Sequence, residues 1–322
     1  MLGRYDGALP YARESWEASG RLLGEAHPDT LLNGDTYAYL LHANGDDEGA
    51  EAIYRATLDA TRATLGDRHP DTAVALNNHA YILDVLGRYD ETEAAYRQAI
   101  ATLRAVYGAE HPEVCSALNN LGTMLYRNGR TDEAVACMDE VYRVRLRTLG
   151  GEHPDTLNTL NNLAVLNASR SEHSLAEEQY REVVRVSERT LGDAHPDTLS
   201  TMANLADLLR TTGKLDEAQS LGRETVGRAA TTFGADHWRV GDYTSRHART
   251  LLSLGRNAEA LERFREAHAI ASRALGDQDR RTQDIRSDIV STLGAMHDED
   301  PEGGYDTRAR AWLEDGGAPD PG

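Results

Sequence analysis

The sequence predicts an all-α fold in which helix pairs of constant length stack one on the next. Three series of residues recur every 42 positions, without an insertion between Gly3 and Asp279. The first series comprises Gly24, Gly66, Gly108, Gly150, Gly192, Gly234 and Gly276. The second follows three residues later and comprises His27, His69, His111, His153, His195, His237 and Asp279. The third comprises Gly3, Gly45, Gly87, Gly129, Ser171, Gly213 and Gly255. Self-similarity at a fixed period is typical of stacked-repeat proteins, which present extended surfaces rather than catalytic pockets.

Each repeat begins with a loop and a helix start, as in the stretch LGGEHPDT at 149–156. Pro154 suits the first helical turn, where its missing N–H is not needed. Asp155 suits the positive end of the helix dipole. Apolar residues then follow at helical spacing, at Leu157, Leu160, Leu163, Ala164 and Leu166. We call this predicted helix the A helix of the repeat.

The third series marks a tight turn from the A helix into a second, B helix. Glycine at the end of a helix accepts the left-handed conformation that terminates it. Small residues recur at one A-helix position, at Ala38, Ala80, Gly122, Ala164, Ala206 and Ala248. They recur also at one B-helix position, at Ala134, Ala176, Ala218 and Ala260. The pattern indicates close helix packing, and only stacking of the repeats buries the apolar stripes.

Composition restricts the partners and the compartment. The net charge of −19 argues against a nucleic-acid partner, whose phosphates would need Lys and Arg clusters, although such a charge also serves solubility. Two cysteines without a CxxC motif predict no disulfide framework and favour a cytoplasmic protein. No apolar run approaches the roughly 20 residues that cross a bilayer, and no signal peptide is visible, so no membrane association is expected.

The repeated text LGxxHPxTxxxLNNLAxLxxxxGRxxEAExxYRxA resembles the tetratricopeptide repeat, in the 42-residue form of the kinesin-light-chain type. The generic repeat has about 34 residues. The best-matching stretches are 76–78, 118–121 and 160–164, and the resemblance covers about residues 1–294. It implies a right-handed superhelix whose A helices line a concave groove that binds extended peptides.

The resemblance places three sets of side chains in that groove. The first Asn of LNN is expected to contact peptide, or alternatively to serve packing, at Asn77, Asn119 and Asn161. An amide both donates and accepts, which suits recognition of a peptide backbone. Asp35, Ala203 and Ser245 hold the same position in other repeats. The second Asn is expected to form a hydrogen-bonded ladder between repeats, through Asn78, Asn120, Asn162 and Asn204.

The remaining groove positions change character along the chain. The first half offers Tyr39, Tyr81 and Tyr126, with Asp35 and Asp84. The second half offers Arg210 and Arg249, near Arg239 and Arg246. We hypothesise that a partner lays an aromatic or apolar segment on the tyrosines and an acidic segment on the arginines. The alternative is an ordinary solvated surface.

No catalytic residue, metal site or cofactor is predicted. The repeated histidines should lie about 10 Å apart, the packing distance of helices, whereas metal–ligand bonds are about 2 Å. We expect them to serve the helix starts. Cys115 and Cys137 are expected in the core. Phosphate-loop, nucleophile-elbow and HExxH motifs are absent from the sequence.

Residues 1–296 are expected to form the solenoid, with a half repeat, six 42-residue units and a capping helix. Residues 297–322 are expected to form an acidic, largely flexible tail, with a short helix at 305–315 and a mobile end at 316–322. Trp312 and Leu313 are candidates for docking on the groove or a partner. The lone B helix at 4–22 carries Leu9, Tyr11 and Trp16, which indicates either a piece of a longer protein or a surface for self-association.

Together these observations predict a non-enzymatic scaffold that binds an extended segment of a protein partner. The alternative is a regulatory or sensor subunit that holds or inhibits a catalytic partner, such as a protease or a nucleotide-binding switch. A self-associating structural protein also remains open, because the first repeat is incomplete.

Overall fold

The computed structural model describes residues 7–314, which form fifteen α-helices and no strand. The chain divides into two compact units, residues 1–148 and residues 149–322. The predicted all-α class is confirmed. Gly3, the first member of the turn series, and the segment 316–322 lie outside the described residues. Within residues 7–314 no helix combines the length and the apolar character that a bilayer span requires.

Unit 1 consists of one B helix followed by three helix pairs. Its helices are α1 (Leu9–Leu23), α2 (Pro28–Ala43), α3 (Asp47–Leu65), α4 (Pro70–Val85), α5 (Tyr89–Tyr107), α6 (Pro112–Arg127) and α7 (Thr131–Thr148). The A helices are α2, α4 and α6, and each helix packs on the next along the chain. Buried Ala38, Leu41, Ala50, Tyr54 and Ile82 join two successive pairs in one hydrophobic cluster.

Unit 2 consists of four helix pairs, of which the last is modified. Its helices are α8 (Pro154–Ser169), α9 (His173–Thr190), α10 (Pro196–Thr211), α11 (Leu215–Phe233), α12 (Trp238–Ser253), α13 (Asn257–Leu275), α14 (Arg280–Glu299) and α15 (Tyr305–Glu314). The A helices are α8, α10, α12 and α14. Buried Ala164, Ala176, Leu205, Leu209 and Ala218 connect the first two pairs.

The recurring Gly–x–x–His–Pro–Asp–Thr text forms a closed loop that starts each A helix. At Gly192 the backbone φ is 100°, and its carbonyl accepts bonds from the His195 N–H (3.3 Å) and the Thr198 hydroxyl (3.0 Å). The His195 Nδ1 atom accepts a bond from the Asp197 N–H at 3.2 Å. The histidine is therefore an N-cap, which satisfies a helical N–H that has no partner within the helix.

The histidine cap recurs at each of the six HPDT-like sites and explains the exception at the seventh. The Nδ1 atoms of His27, His69, His111, His153 and His237 accept the equivalent backbone N–H bonds, at 3.2–3.3 Å. Asp279 replaces histidine and accepts the same bond from the Arg281 N–H, through Oδ1 at 2.9 Å. Asp is a preferred N-cap residue, so the substitution keeps the function of the position. The helix-start role predicted for these histidines is confirmed.

Ser171 is a non-glycine residue in a turn that otherwise uses glycine. The turn glycines Gly45, Gly87, Gly129, Gly213 and Gly255 have φ between 73° and 85°. Ser171 has a φ of 64°, the only positive value at a non-glycine residue among residues 7–314. A side chain in this left-handed region meets a steric penalty that glycine avoids.

The small-residue positions are points of close helix contact, as expected. Ala38, Ala80 and Ala164 are fully buried. A Cβ atom on Gly122 would lie 3.1 Å from Cε of Met138 and 3.3 Å from Cβ of Cys137. These distances are tighter than most van der Waals contacts, so α6 and α7 approach closely because residue 122 lacks a side chain.

The C-terminal segment differs from the expected boundary at residue 296. Helix α14 continues to Glu299, and α15 packs against it instead of forming part of a flexible tail. Trp312 is 9% exposed and lies in the cluster that contains Ile285, Ile289 and Leu293. The Arg286 guanidinium donates to the Trp312 carbonyl at 2.5 Å, which fastens the end of α15. Residues 297–314 thus belong to the folded unit.

The first helix is also more firmly packed than its sequence indicates. The Trp16 ring stacks on Tyr37 with a centroid distance of 5.8 Å, and Leu9 packs against the cluster around Tyr54. Of the three residues expected at a self-association surface, Tyr11 is exposed, at 75%.

We predict that Ser171→Gly raises the free energy of unfolding by about 1 kcal/mol, because it removes the left-handed strain. Gly213→Ser is the reverse control, since space around that glycine is open and its φ is the sole obstacle. Urea unfolding followed by circular dichroism measures both. If both variants shift the midpoint in the same direction, the strain argument fails.

We predict that His195→Ala lowers the free energy of unfolding by about 1 kcal/mol, the usual cost of losing an N-cap. His195→Asp should retain the wild-type value or exceed it, because Asp279 already performs this role in the same chain. Thermal unfolding of the two variants beside wild type tests the assignment. Equal destabilisation by Ala and Asp would contradict it.

Candidate functional site

The A helices of unit 1 present three exposed tyrosines. Tyr39, Tyr81 and Tyr126 are 54%, 36% and 37% exposed. The Tyr81 hydroxyl lies 3.2 Å from Nε2 of His42, and the two rings meet edge to face with centroids 5.5 Å apart. Nδ1 of His42 in turn lies 2.5 Å from Oδ1 of Asp47. We call the surface carrying these tyrosines, together with Asp35 and Asp84, the A face of unit 1.

A ladder of side-chain amides runs beneath this face from one A helix to the next. The Asn78 amide donates to Oδ2 of Asp35 at 3.1 Å, and the Asn120 amide donates to Oδ1 of Asn77 at 3.3 Å. The ladder predicted for the second Asn is therefore present at Asn78 and Asn120. Asn77, predicted to contact peptide, accepts in this ladder and is 8% exposed. Its side-chain carbonyl oxygen already accepts a hydrogen bond from the next A helix. This favours a role for Asn77 in packing rather than in peptide contact.

The ladder recurs in unit 2, where Asn204 donates to Oδ1 of Asn161 at 3.4 Å. Asn161 and Asn119 are each partly exposed. Their amide N–H groups therefore remain nearer to the surface than the side chain of Asn77. Of the three predicted peptide-contacting asparagines, these two are the better placed to meet a ligand.

Two carboxylates on the A face of unit 1 are incompletely paired. Oδ1 of Asp35 is buried and has no hydrogen-bond partner among the described residues. Burial raises the pKa of Asp35 to about 6, and the bond from Asn78 opposes that rise only in part. Asp84 is 7% exposed; its Oδ2 accepts from Arg127 at 2.7 Å, whereas its Oδ1 also has no described partner. Burial raises the pKa of Asp84 as well, against the opposing charge of Arg127.

The predicted acid-binding arginines of unit 2 are paired with aspartates of the same unit. Arg249 donates to Oδ2 of Asp288 from Nε (3.0 Å) and Nη2 (2.8 Å). Arg210 places its Nε 3.9 Å from Oδ1 of Asp207, and this Nε has no hydrogen-bond partner among the described residues. An acidic ligand at Arg249 would therefore compete with the carboxylate of Asp288, whereas Arg210 is only loosely paired.

Arg246 is the centre of this network. It donates to Oδ2 of Asp207 at 2.9 Å, to Oδ2 of Asp242 at 3.2 Å and to Oδ1 of Asn204 at 3.2 Å. Arg246 lies 42 residues after Asn204, at the repeat position where other repeats have the second Asn of LNN. Its guanidinium therefore replaces the amide and continues the ladder by donating to Asn204. Burial raises the pKa of Asp207, and Arg246 is the main charge that opposes this rise.

A small pocket of about 130 Å³ lies between α12, α13 and α14. The Arg281 guanidinium lies 4.8 Å from the centroid of the Trp238 ring, and both residues line the pocket. Pockets for drug-sized ligands usually measure about 300 Å³ or more. The pocket is thus suited to a single side chain rather than to a small-molecule substrate.

The groups most often used in catalysis have other roles or surroundings among the described residues. Within residues 7–314 no three His, Cys, Asp or Glu side chains form a group fit to hold a metal. The repeated histidines cap helices through Nδ1. Cys115 is buried and Cys137 partly buried, and burial raises the pKa of both thiols, which keeps them protonated and poorly nucleophilic.

This geometry identifies the protein as a stacked helix-pair repeat protein with a side-chain ladder between its A helices. Comparison with known families agrees: a family model of the tetratricopeptide repeat matches residues 30–105, 71–135, 113–189 and 171–231. A second model with the same description matches residues 1–29 and 247–281. The chain belongs to the tetratricopeptide repeat family, whose fold is a protein-interaction scaffold.

Solved structures agree with this assignment. A Podosopora anserina protein assigned as a kinesin light chain, with nearly identical TPR-like repeats, is 25% identical; the match covers 64% of this chain and 97% of that one, with a TM-score of 0.57. BtubC (BKLC) from P. vanneervenii is 20% identical over 72% and 93% of the two chains, with a TM-score of 0.63. The predicted resemblance to the kinesin-light-chain type is confirmed.

A third structure shows how widely the fold is shared. The apo form of the quorum sensor NprR from B. thuringiensis is 11% identical over 95% of this chain and 83% of that one, with a TM-score of 0.65. At this identity, and at that of BtubC, the likeness concerns the fold alone. A search of curated proteins finds no match.

We predict that Asp35→Asn raises the free energy of unfolding by about 1–2 kcal/mol near neutral pH. The pKa of about 6 in the folded state exceeds the ordinary value, so the native carboxyl holds its proton more tightly than the unfolded one. The stability that protonation provides is lost as the pH rises to about 6. The advantage of the variant should therefore shrink towards about pH 4. Urea unfolding across this pH range provides the measurement, and a difference independent of pH would contradict the assignment.

Proposed function

We propose that this protein is a non-enzymatic scaffold that binds an extended segment of a protein partner on its A helices. The observation that carries the proposal is the set of tyrosines on the A face of unit 1. Tyr81 and Tyr126 are exposed although most of the other large apolar side chains of α4 and α6 are buried, and Tyr39 lies on α2, where Leu32 is exposed as well. Tyrosine provides contact area at low entropic cost and a hydroxyl for hydrogen bonding, which suits peptide recognition.

The asparagines support the same proposal in a more limited way. Asn119 and Asn161 are partly exposed, and an amide at this position pairs with a peptide backbone whatever its sequence. Asn77 contributes chiefly by fixing the spacing of the A helices. Arg210 and Arg249 remain candidate contacts. At Arg249 a ligand carboxylate has to displace that of Asp288, whereas Nε of Arg210 has no hydrogen-bond partner among the described residues.

The sharpest test uses exposed tyrosines on the two kinds of helix. We expect Tyr39→Ala with Tyr81→Ala to abolish capture of the partner from a lysate of the source cell, measured by quantitative mass spectrometry. The matched control is Tyr11→Ala with Tyr89→Ala, which removes two exposed tyrosines, 75% and 46% exposed, from B helices of the same unit.

Circular dichroism establishes that both double variants retain their helices. A partner lost by the A-helix variant and kept by the control supports the proposal. A partner kept by the A-helix variant and lost by the control would overturn it and transfer the binding surface to the B helices.

A further inference from the structure

We propose that the A face of unit 1 recognises a basic segment of its protein partner, in which Arg or Lys side chains meet Asp35, Asp84 and the tyrosines. This inference rests on the proposed function, because it names the chemistry of the segment that the scaffold binds. It differs from the aromatic or apolar segment that the sequence alone predicts for this half of the chain.

The charged side chains of the A helices in unit 1 are mostly negative. Helices α2, α4 and α6 carry five carboxylates and a single arginine, and they contain no lysine. The carboxylates are Asp29, Asp35, Asp71, Asp84 and Glu113, and the arginine is Arg127. Asp29, Asp71 and Glu113 lie in the first turns, where the helix dipole stabilises negative charge. Asp35 and Asp84 lie further along their helices and have no such compensation.

These two carboxylates offer acceptors that the protein leaves without donors. Asp84 is more than nine-tenths buried, and its free Oδ1 belongs to a carboxylate whose other oxygen holds the half-exposed side chain of Arg127. The carboxylate therefore lies directly beneath a surface side chain, with its Oδ1 atom out of contact with solvent. A buried acceptor without a donor costs free energy, and a ligand that supplies a charged N–H recovers it.

The tyrosines add a second feature that favours a cation. Aromatic faces attract guanidinium and ammonium groups. Among the described residues, the cation–π contacts involve the rings of Phe233, Trp238 and Tyr305, and none involves Tyr39, Tyr81 or Tyr126. The A face of unit 1 thus combines exposed aromatic rings with carboxylates that each have one oxygen without a donor, and a cationic side chain can interact favourably with both.

Other occupants fit this surface less well. A purely apolar segment would leave the buried free oxygens of Asp35 and Asp84 without donors, so it would recover none of the free energy that their burial already costs. An acidic segment would meet like charges. Unit 2 gives the contrast, because Arg249 and Arg246 on its A helices are already paired with Asp288, Asp207 and Asp242.

The probes are fluorescein-labelled peptides of about nine residues, roughly 30 Å long when extended. Arg, Lys, Glu or Gln alternates with Ala in the four versions. Fluorescence anisotropy at about 0.15 M salt measures their affinity for the full chain. We expect the Arg and Lys peptides to bind and the Glu and Gln peptides to bind at least about tenfold more weakly.

The deciding variant is Asp35→Asn with Asp84→Asn, which keeps the shape and removes both charges. It should weaken binding of the Arg peptide at least about tenfold. The matched control, Asp59→Asn with Asp90→Asn, removes two exposed charges from B helices of the same unit and should change affinity less than about twofold. Asp35→Asn should increase stability, whereas Asp84→Asn removes the ion pair with Arg127, so circular dichroism checks that the double variant retains its helices.

Each alternative outcome has a distinct meaning. Equal weakening in both double variants would overturn the inference and assign the binding to the net charge of −19. Failure of every cationic peptide to bind would overturn it as well. If the tyrosine variant loses the partner while the Asp35 and Asp84 variant keeps it, the proposed scaffold function stands and its basic specificity fails.

Discussion

The closed loop between each B helix and the next A helix is the constraint on which the rest of the structure depends. Glycine reverses the chain, its carbonyl accepts two bonds in the loops at Gly24, Gly66 and Gly192, and the histidine N-cap starts the following helix. Because the loop has a fixed length, every A helix begins at the same point of its repeat. Only then do Asn78 and Asn120 fall within reach of Asp35 and Asn77 one repeat earlier. The ladder is thus a consequence of the loops.

The features that repeat can be predicted from the sequence, because the same residue type recurs at the same position in several repeats. The period, the turn glycines, the helix-start histidines and the amide ladder all follow from seven versions of one text. Features that occur once are harder to predict. Trp312 docks on α13 and α14 although its segment has weak periodicity and an acidic neighbourhood, and docking depends on a tertiary contact with Ile285, Ile289 and Leu293. Local composition marks Trp312 as a candidate for docking but does not identify the helices on which it docks.

The candidate site illustrates the same limit. Sequence position identifies Arg249 as a surface residue of an A helix, and the structure agrees. It does not reveal that Asp288, 39 residues later, holds both donating groups of that arginine. Positive residues on one helix therefore do not amount to a positive surface. A prediction of charge from one helix at a time fails wherever the adjacent helix supplies the counter-ion.

The difference between Arg249 and Asp35 follows from the same pairing argument. In unit 2 Arg246 and Arg249 each meet an aspartate of a neighbouring A helix, so their charges contribute to holding the A helices together. In unit 1 Asp35 meets only the neutral amide of Asn78, and burial without a counter-ion disfavours its charged form. A buried carboxylate without a counter-ion lowers the stability of the fold. Natural proteins keep such destabilising residues chiefly where they serve a function. A bound cation at Asp35 would supply the counter-ion and remove the cost, so ligand binding and folding stability should be coupled through this carboxylate.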